Sequence, residues 1–153
     1  MHLAIATDWL TSFGGAERVL TELRNEFGNV PIYTSVYDRG RVPEAVREWD
    51  VRPSWLQRLP FSRRYSRALL PLMPGAFGRF DFSEYDAVIS CSSAFSKAVH
   101  TTGRTRNVCY CFTPPRYLWD LQDEYLRGRI AELPMRAMVR RLQRVDLAVA
   151  KRA

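Results

Sequence analysis

Met1-His-Leu-Ala-Ile-Ala-Thr-Asp8 opens the chain, and Ser12-Phe-Gly-Gly15 leads from it into residues 16–27. The first stretch runs apolar into a polar stop, the pattern of a short strand buried on both faces. In the second, Ala16, Val19, Leu20, Leu23 and Phe27 recur at helical spacing, with Glu17, Glu22 and Glu26 outside the stripe. Strand, glycine turn and helix form the first half of a βαβ unit, so the sheet is expected to be parallel.

The same alternation continues downstream. Residues 30–37, rich in β-branched and aromatic side chains, read as a second strand. Tyr85-Asp-Ala-Val-Ile-Ser90 reads as a buried strand, with Ser92 or Ser93 as N-cap of a helix over 94–100. Asn107-Val-Cys-Tyr-Cys-Phe-Thr113 is another strand, stopped by Pro114-Pro115. Residues 117–127 look helical, and a last helix opens at Pro134, stacking Met135, Met138, Leu142, Val145 and Val149 on one face. Between residues 39 and 60, Pro43, Pro53 and Pro60 cut the pattern into short pieces. Residues 61–72 then place Phe61, Tyr65, Ala68, Leu69 and Leu72 on one helical face and Arg63, Arg64 and Arg67 on the other. The expected fold class is α/β: a Rossmann-like, mainly parallel sheet with helices on both faces, spanning residues 1–153 as one domain.

Composition sets the outer bounds. With 46% apolar and 25% charged residues, 153 residues suit a folded domain, and disorder is excluded as a class. No apolar run approaches the ~18–20 residues of a spanning helix, and the N-terminus lacks the basic cluster of a signal peptide. Three cysteines, Cys91, Cys109 and Cys111, show no metal-site spacing, which points to a reducing, cytoplasmic setting and no metal. The net charge of +7 is unevenly spread. Residues 51–80 hold six arginines and no acid, and residues 127–153 hold 8 basic against 2 acidic side chains. An anionic surface or ligand is therefore expected.

Four motifs carry possible chemistry. Gly14 and Gly15 before a helix would let a phosphate approach unpaired N–H groups, although a turn needing positive φ explains the pair equally simply. Neither a dinucleotide nor a P-loop fingerprint is completed. Cys109-Tyr-Cys-Phe-Thr-Pro-Pro-Arg-Tyr-Leu-Trp-Asp120 lies at and just past a strand's carboxyl end, where open α/β sheets bind ligands. There Arg116 could grip a phosphate or carboxylate, and Tyr117 and Trp119 could wall a sugar; the alternative is that the aromatics are core and Arg116 pairs with Asp120 or Asp123. Ser90-Cys-Ser-Ser93 would need a base beside Cys91 for nucleophilic chemistry, and neither His2 nor His100 has a context implying one. The arginine-rich residues 56–72 suit either an interfacial helix on anionic lipid or an ordinary solvated helix. Nucleic-acid binding is not expected, since no reading element accompanies the basic blocks.

Taken together, Gly14-Gly-Ala-Glu-Arg-Val-Leu20, Pro31-Ile-Tyr-Thr34, Leu69-Leu-Pro-Leu72, Tyr85-Asp-Ala-Val-Ile-Ser90, Ser92-Ser-Ala-Phe95 and Thr113-Pro-Pro-Arg-Tyr-Leu-Trp119 make the chain resemble the N-terminal half of bacterial family 4 glycosyltransferases. The resemblance runs almost end to end and is closest to mannosyltransferases of polysaccharide and glycolipid assembly. It implies the acceptor-side half of a GT-B fold. The activity implied is retaining transfer of mannose or another hexose from a nucleotide-sugar to a glycolipid or polysaccharide intermediate, without a metal or other cofactor. It implies further that Gly14 and Gly15 approach the donor diphosphate, and that Phe112, Thr113, Arg116 and Tyr117 line the acceptor site. Arg63, Arg64 and Arg67 would face an anionic membrane, placing the protein in the cytoplasm or at the inner face of the cytoplasmic membrane.

Two departures accompany the resemblance. Phe112 stands where many relatives carry a histidine, so Thr113 or backbone groups would have to supply its hydrogen bond. The donor-binding half of such an enzyme is missing, and the sequence reads as a domain truncated inside its last helix. Alone, the chain is expected to be inactive. A non-catalytic binding module for a lipid-linked sugar, an anionic membrane or a partner domain is the competing expectation.

Overall fold

Strand β1 (Leu3–Thr7) is buried along its whole length because it forms the middle of the sheet. The computed structural model describes residues 1–120 and 132–152. Around β1 lie β2 (Ile32–Thr34) and β3 (Val51–Pro53) on one side, and β4 (Ala87–Ser92) and β5 (Arg106–Cys111) on the other. The order is β3-β2-β1-β4-β5, and every pairing is parallel. The chain is therefore α/β, with a five-stranded, all-parallel sheet. Crossovers run outward in opposite directions from the β1/β4 pair. That pair is the topological switch point, and ligands of open α/β sheets sit outside its carboxyl end.

Successive side chains of β1 face opposite ways, and each set has its own core. Leu3 and Ile5 join Leu20, Val30, Ile32 and Cys91, with Leu23 packed alongside. Leu20 and Leu23 come from helix α1 (Gly15–Phe27), whose apolar stripe covers this face. On the other face, Ala4 and Ala6 leave room for Leu56, Met73, Phe77, Phe95, Val139 and Leu142. Helix α2 (Glu44–Arg47) is a single turn. Helix α3 (Met73–Phe77) and helix α4 (Glu132–Ala150) bring the second layer. Burying a side chain such as Ile5 or Leu20 is worth about 1.5–3 kcal/mol, so both faces contribute to holding the sheet.

Two expected helices are different objects. Over 61–72 the chain makes a tight turn, with Arg64 N–H and Tyr65 N–H both donating to Phe61 O at 3.0 Å, then a 3-10 helix Ser66–Leu72. Most of the expected apolar face points outward: Phe61 is 74% exposed and Tyr65 56%, while Leu69 packs against the core and Ser62 and Ser66 are buried. Pro71 contributes to this, since inside the segment it lacks the N–H that an α-helical ladder would use. Over 94–100 only a 3-10 turn forms, Ser96–Ala98, because the N–H groups at its start are drawn to another acceptor. Of the expected helix over 117–127, residues 121–127 lie outside the described residues.

Candidate functional site

A cleft of about 770 Å³ opens beyond the carboxyl ends of β1, β4 and β5, within the ~300–1,000 Å³ usual for ligand pockets. Trp9 enters it just after β1, Ser93 just after β4 and Thr113 just after β5. Its apolar lining is Met135, Met138, Val139 and Leu142 of α4 with Leu70 and Pro71. Its polar lining is Arg67, Ser93, Thr113, Arg116 and Tyr117. The cavity thus combines apolar side chains that suit an apolar group with two guanidinium groups that could meet an anion.

Tyr117 is the residue of this lining whose side-chain polar atom is buried without a partner. Its hydroxyl is buried and makes no hydrogen bond. Burial, with Asp8 and Asp146 adding to it, holds its pKa well above the ordinary phenol value. At neutral pH it is a fixed neutral donor and acceptor. A buried hydroxyl with no partner costs roughly 1–3 kcal/mol, a cost that a bound hydroxyl or water would remove.

Behind the cleft the switch point is closed by the chain itself. Asp8, 4% exposed, accepts from Ser93 N–H at 2.7 Å, Ala94 N–H at 2.8 Å, Phe95 N–H at 2.8 Å and Ser96 N–H at 2.7 Å. The Ser93 hydroxyl donates to it at 3.2 Å. Five donors on two oxygens leave no acceptor for a carboxyl proton, which fits the ionised form. Burial pushes its pKa up, and the four N–H groups oppose that rise. The nest of amides that could hold a ligand's phosphate at this point already holds a carboxylate.

A second buried charge pair fixes the wall. Lys97 Nζ lies 2.7 Å from Asp146 Oδ1, and Asp146 Oδ2 accepts from Trp119 Nε1 at 3.1 Å. Gln143 Nε2 donates to Leu118 O at 2.7 Å. Helix α4 is thereby tied both to the turn after β4 and to the loop after β5.

Of the residues expected at a site, Thr113, Arg116, Tyr117 and Arg67 come together here. Phe112 faces the other way, packed in the α1-side core and edge-on to Tyr110 at 5.2 Å. Gly14 and Gly15 also lie outside the lining. Gly14 is extended (φ −145°), and its N–H donates to the buried Glu17 carboxylate at 2.8 Å. Among the described glycines only Gly28 and Gly103 have positive φ, so the turn does not need glycine for its backbone. A Cβ on Gly15 would meet nothing within 4 Å. Arg63 and Arg64 are exposed outside the cleft.

Cys91 is fully buried, and burial, aided by Asp8, pushes its thiol up to about 12, which removes the nucleophile reading. His2 sits at the opposite end of the sheet, stacked on Tyr85 at 4.8 Å. Among the described residues no cluster of three histidine, cysteine or carboxylate side chains could hold a metal, and no helix is long and apolar enough to cross a membrane. Asp8, Lys97 and Asp146 were not foreseen as a group. The available signal was an acid at the carboxyl end of a buried strand, which marks the ligand end of such a sheet. Compared with known proteins, the chain matches no family model, no curated protein and no solved structure.

Proposed function

We propose that the chain is the acceptor-binding domain of a retaining glycosyltransferase. It would hold a glycolipid or polysaccharide intermediate while a second, donor-binding domain presents a nucleotide-sugar. The observation that carries the reading is the cleft, whose lining combines Arg67 and Arg116, apolar side chains of α4 and a Tyr117 hydroxyl that is buried without a partner. Such a lining suits an amphiphile whose anionic or sugar head meets the arginines and whose hydrocarbon meets Met135, Met138 and Leu142. Gly15, glycine without a local backbone or packing reason, supports the accompanying proposal that a donor diphosphate comes close to the start of α1.

A second reading, a non-catalytic binding module, draws on the same lining. Its ionisable groups are two arginines and a phenol, none of which is a base at neutral pH. Both readings predict binding of a short-chain prenyl-phosphate sugar, measured by titration calorimetry, and loss of that binding in Arg116→Ala. They separate when a donor-binding domain is supplied with nucleotide-sugars: transfer supports the enzyme, and binding without transfer supports the module. No binding by the wild-type chain would overturn both.

A further inference from the structure

Edge strand β5 carries two thiols that neither the cleft nor the core uses. Cys109 and Cys111 stand two residues apart, so alternation puts both on one face of the strand. That face is turned away from Phe112 and the α1-side core. Cys109 is half-buried and Cys111 exposed, which opens the pair to solvent. Neither lines the cleft. The two thiols sense each other: burial holds Cys109 above its ordinary pKa, Ser90 opposes the rise and Cys111 adds to it.

Across the strand pair, the register sets Ser90 beside Cys109 and Ser92 beside Cys111. Ser90 is satisfied, its hydroxyl donating to Asn107 Oδ1 at 3.0 Å. Ser92, only 1% exposed, is not: its hydroxyl is buried with no hydrogen-bond partner. A buried donor without an acceptor is costly, and a thiolate at Cys111 would supply the acceptor.

We propose that Cys109 and Cys111 bind a soft, two-coordinate metal ion of the Cu(I) class, with the Ser92 hydroxyl donating to the Cys111 thiolate. Spacing selects this over a disulfide between the two. Same-face Cβ atoms two residues apart on a strand lie ~6–7 Å from each other, against the ~3.5–4.5 Å of a disulfide. Rotation about each Cα–Cβ bond brings the sulfurs to ~4–5 Å, the span of two metal–thiolate bonds of about 2.3 Å. Ligand number selects it over zinc, whose structural sites take four ligands. Among the described residues no third histidine, cysteine or carboxylate completes such a set, and Cys91 packs on the opposite face. Thiolates are the ligands that a soft ion such as Cu(I) prefers. Binding moves no electron: each thiol gives up its proton to solvent, two S–Cu bonds form, and the complex carries one negative charge. This inference does not rest on the glycosyl-transfer reading.

The test is an anaerobic titration of the reduced chain with the Cu(I)–bicinchoninate complex, read as loss of its colour, beside light scattering to count chains per particle. Wild type is expected to withdraw one copper per chain without a change in particle mass. Cys109→Ser and Cys111→Ser, each left with one thiolate, should bind at least about a hundredfold more weakly. Far-ultraviolet circular dichroism of Cys111→Ser should match wild type, since that side chain is exposed. Ser92→Ala should bind about tenfold more weakly, as for other groups that support a metal ligand. Its thermal midpoint should hold or rise, because the hydroxyl has no partner to lose. The proposal is overturned if wild type leaves the bicinchoninate complex intact, if either cysteine variant takes copper as tightly as wild type, if two chains share one copper, or if Ser92→Ala binds unweakened.

Discussion

Lys97 and Asp146 form an ion pair of 2.7 Å in which both side chains are only 6% exposed. The lysine belongs to the turn after the central strand pair, and the aspartate to the helix that walls the cleft. Removing one partner leaves the other charge buried and alone. Lys97→Met is expected to lower the unfolding free energy by about 3–5 kcal/mol in urea titrations. Adding Asp146→Leu to Lys97→Met should recover most of that loss, because the desolvation cost then disappears from both sides. A double variant as unstable as the single one would contradict this.

Asp8 should be the most sensitive polar position in the sheet. In Asp8→Ala the N–H groups of Ser93, Ala94, Phe95 and Ser96 lose their shared acceptor. A loss of at least about 3 kcal/mol is expected, since each charge-assisted bond counts ~1.5–3 kcal/mol. Asp8→Asn should be intermediate, because its amide nitrogen turns one more donor toward donors. Hydrogen exchange at Phe95 and Ser96 would report the opening directly.

Tyr117→Phe separates binding from stability. The hydroxyl has no partner to lose, so the folded chain should be unchanged or stabilised by up to about 1 kcal/mol in thermal unfolding. Binding of the prenyl-phosphate sugar should weaken about tenfold. If stability fell instead, the hydroxyl would have to be a structural donor.

Cysteine reactivity should divide along burial. Cys111 is exposed, whereas the Cys91 thiol is pushed up to about 12. Iodoacetamide at pH 8 is expected to label Cys111 and spare Cys91, whose thiolate fraction is about one in ten thousand. Unfolding in urea should equalise the two in a peptide mass map. The unfolded thiol ionises near 9.0, while the buried native one keeps its proton. Stability should therefore fall as pH climbs from about 9 towards about 12.

What could be read from residues alone was whatever local periodicity controls. Strands β1, β4 and β5 and helices α1 and α4 announce themselves by unbroken apolar patterns, and their alternation fixes the parallel class. Strand β3 was invisible: it is three residues long and contains Pro53, tolerated because it lies at the sheet edge. Residues 61–72 misled because helical spacing was present while Pro71 interrupted the helix and buried serines turned most of the apolar side outward. In the cleft lining, Arg116 and Tyr117 were legible from their place after a strand, Thr113 was named only through the resemblance, and Trp119, read with them, is held by Asp146 outside the lining. Phe112 was placed with them, yet alternation along the strand sends neighbouring side chains to opposite faces. Asp8, Lys97 and Asp146 depend on contacts across 49 to 88 residues, which no local pattern encodes.

The central place of β1 also fixes an order of assembly. Of the five strands the first in sequence pairs on one side with β2 but finds its other neighbour only near residue 87. His2 N–H waits for Asp86, 84 positions later, and Asp8 waits for residues 93–96. Until then a buried strand and its terminal acid stand exposed in the nascent chain. Such long-range closure slows folding and leaves the unpaired strand open to aggregation. The centre of the sheet is therefore completed only when residues 87–96 join residues 3–8, so its stability is a property of the whole domain rather than of its first βαβ unit.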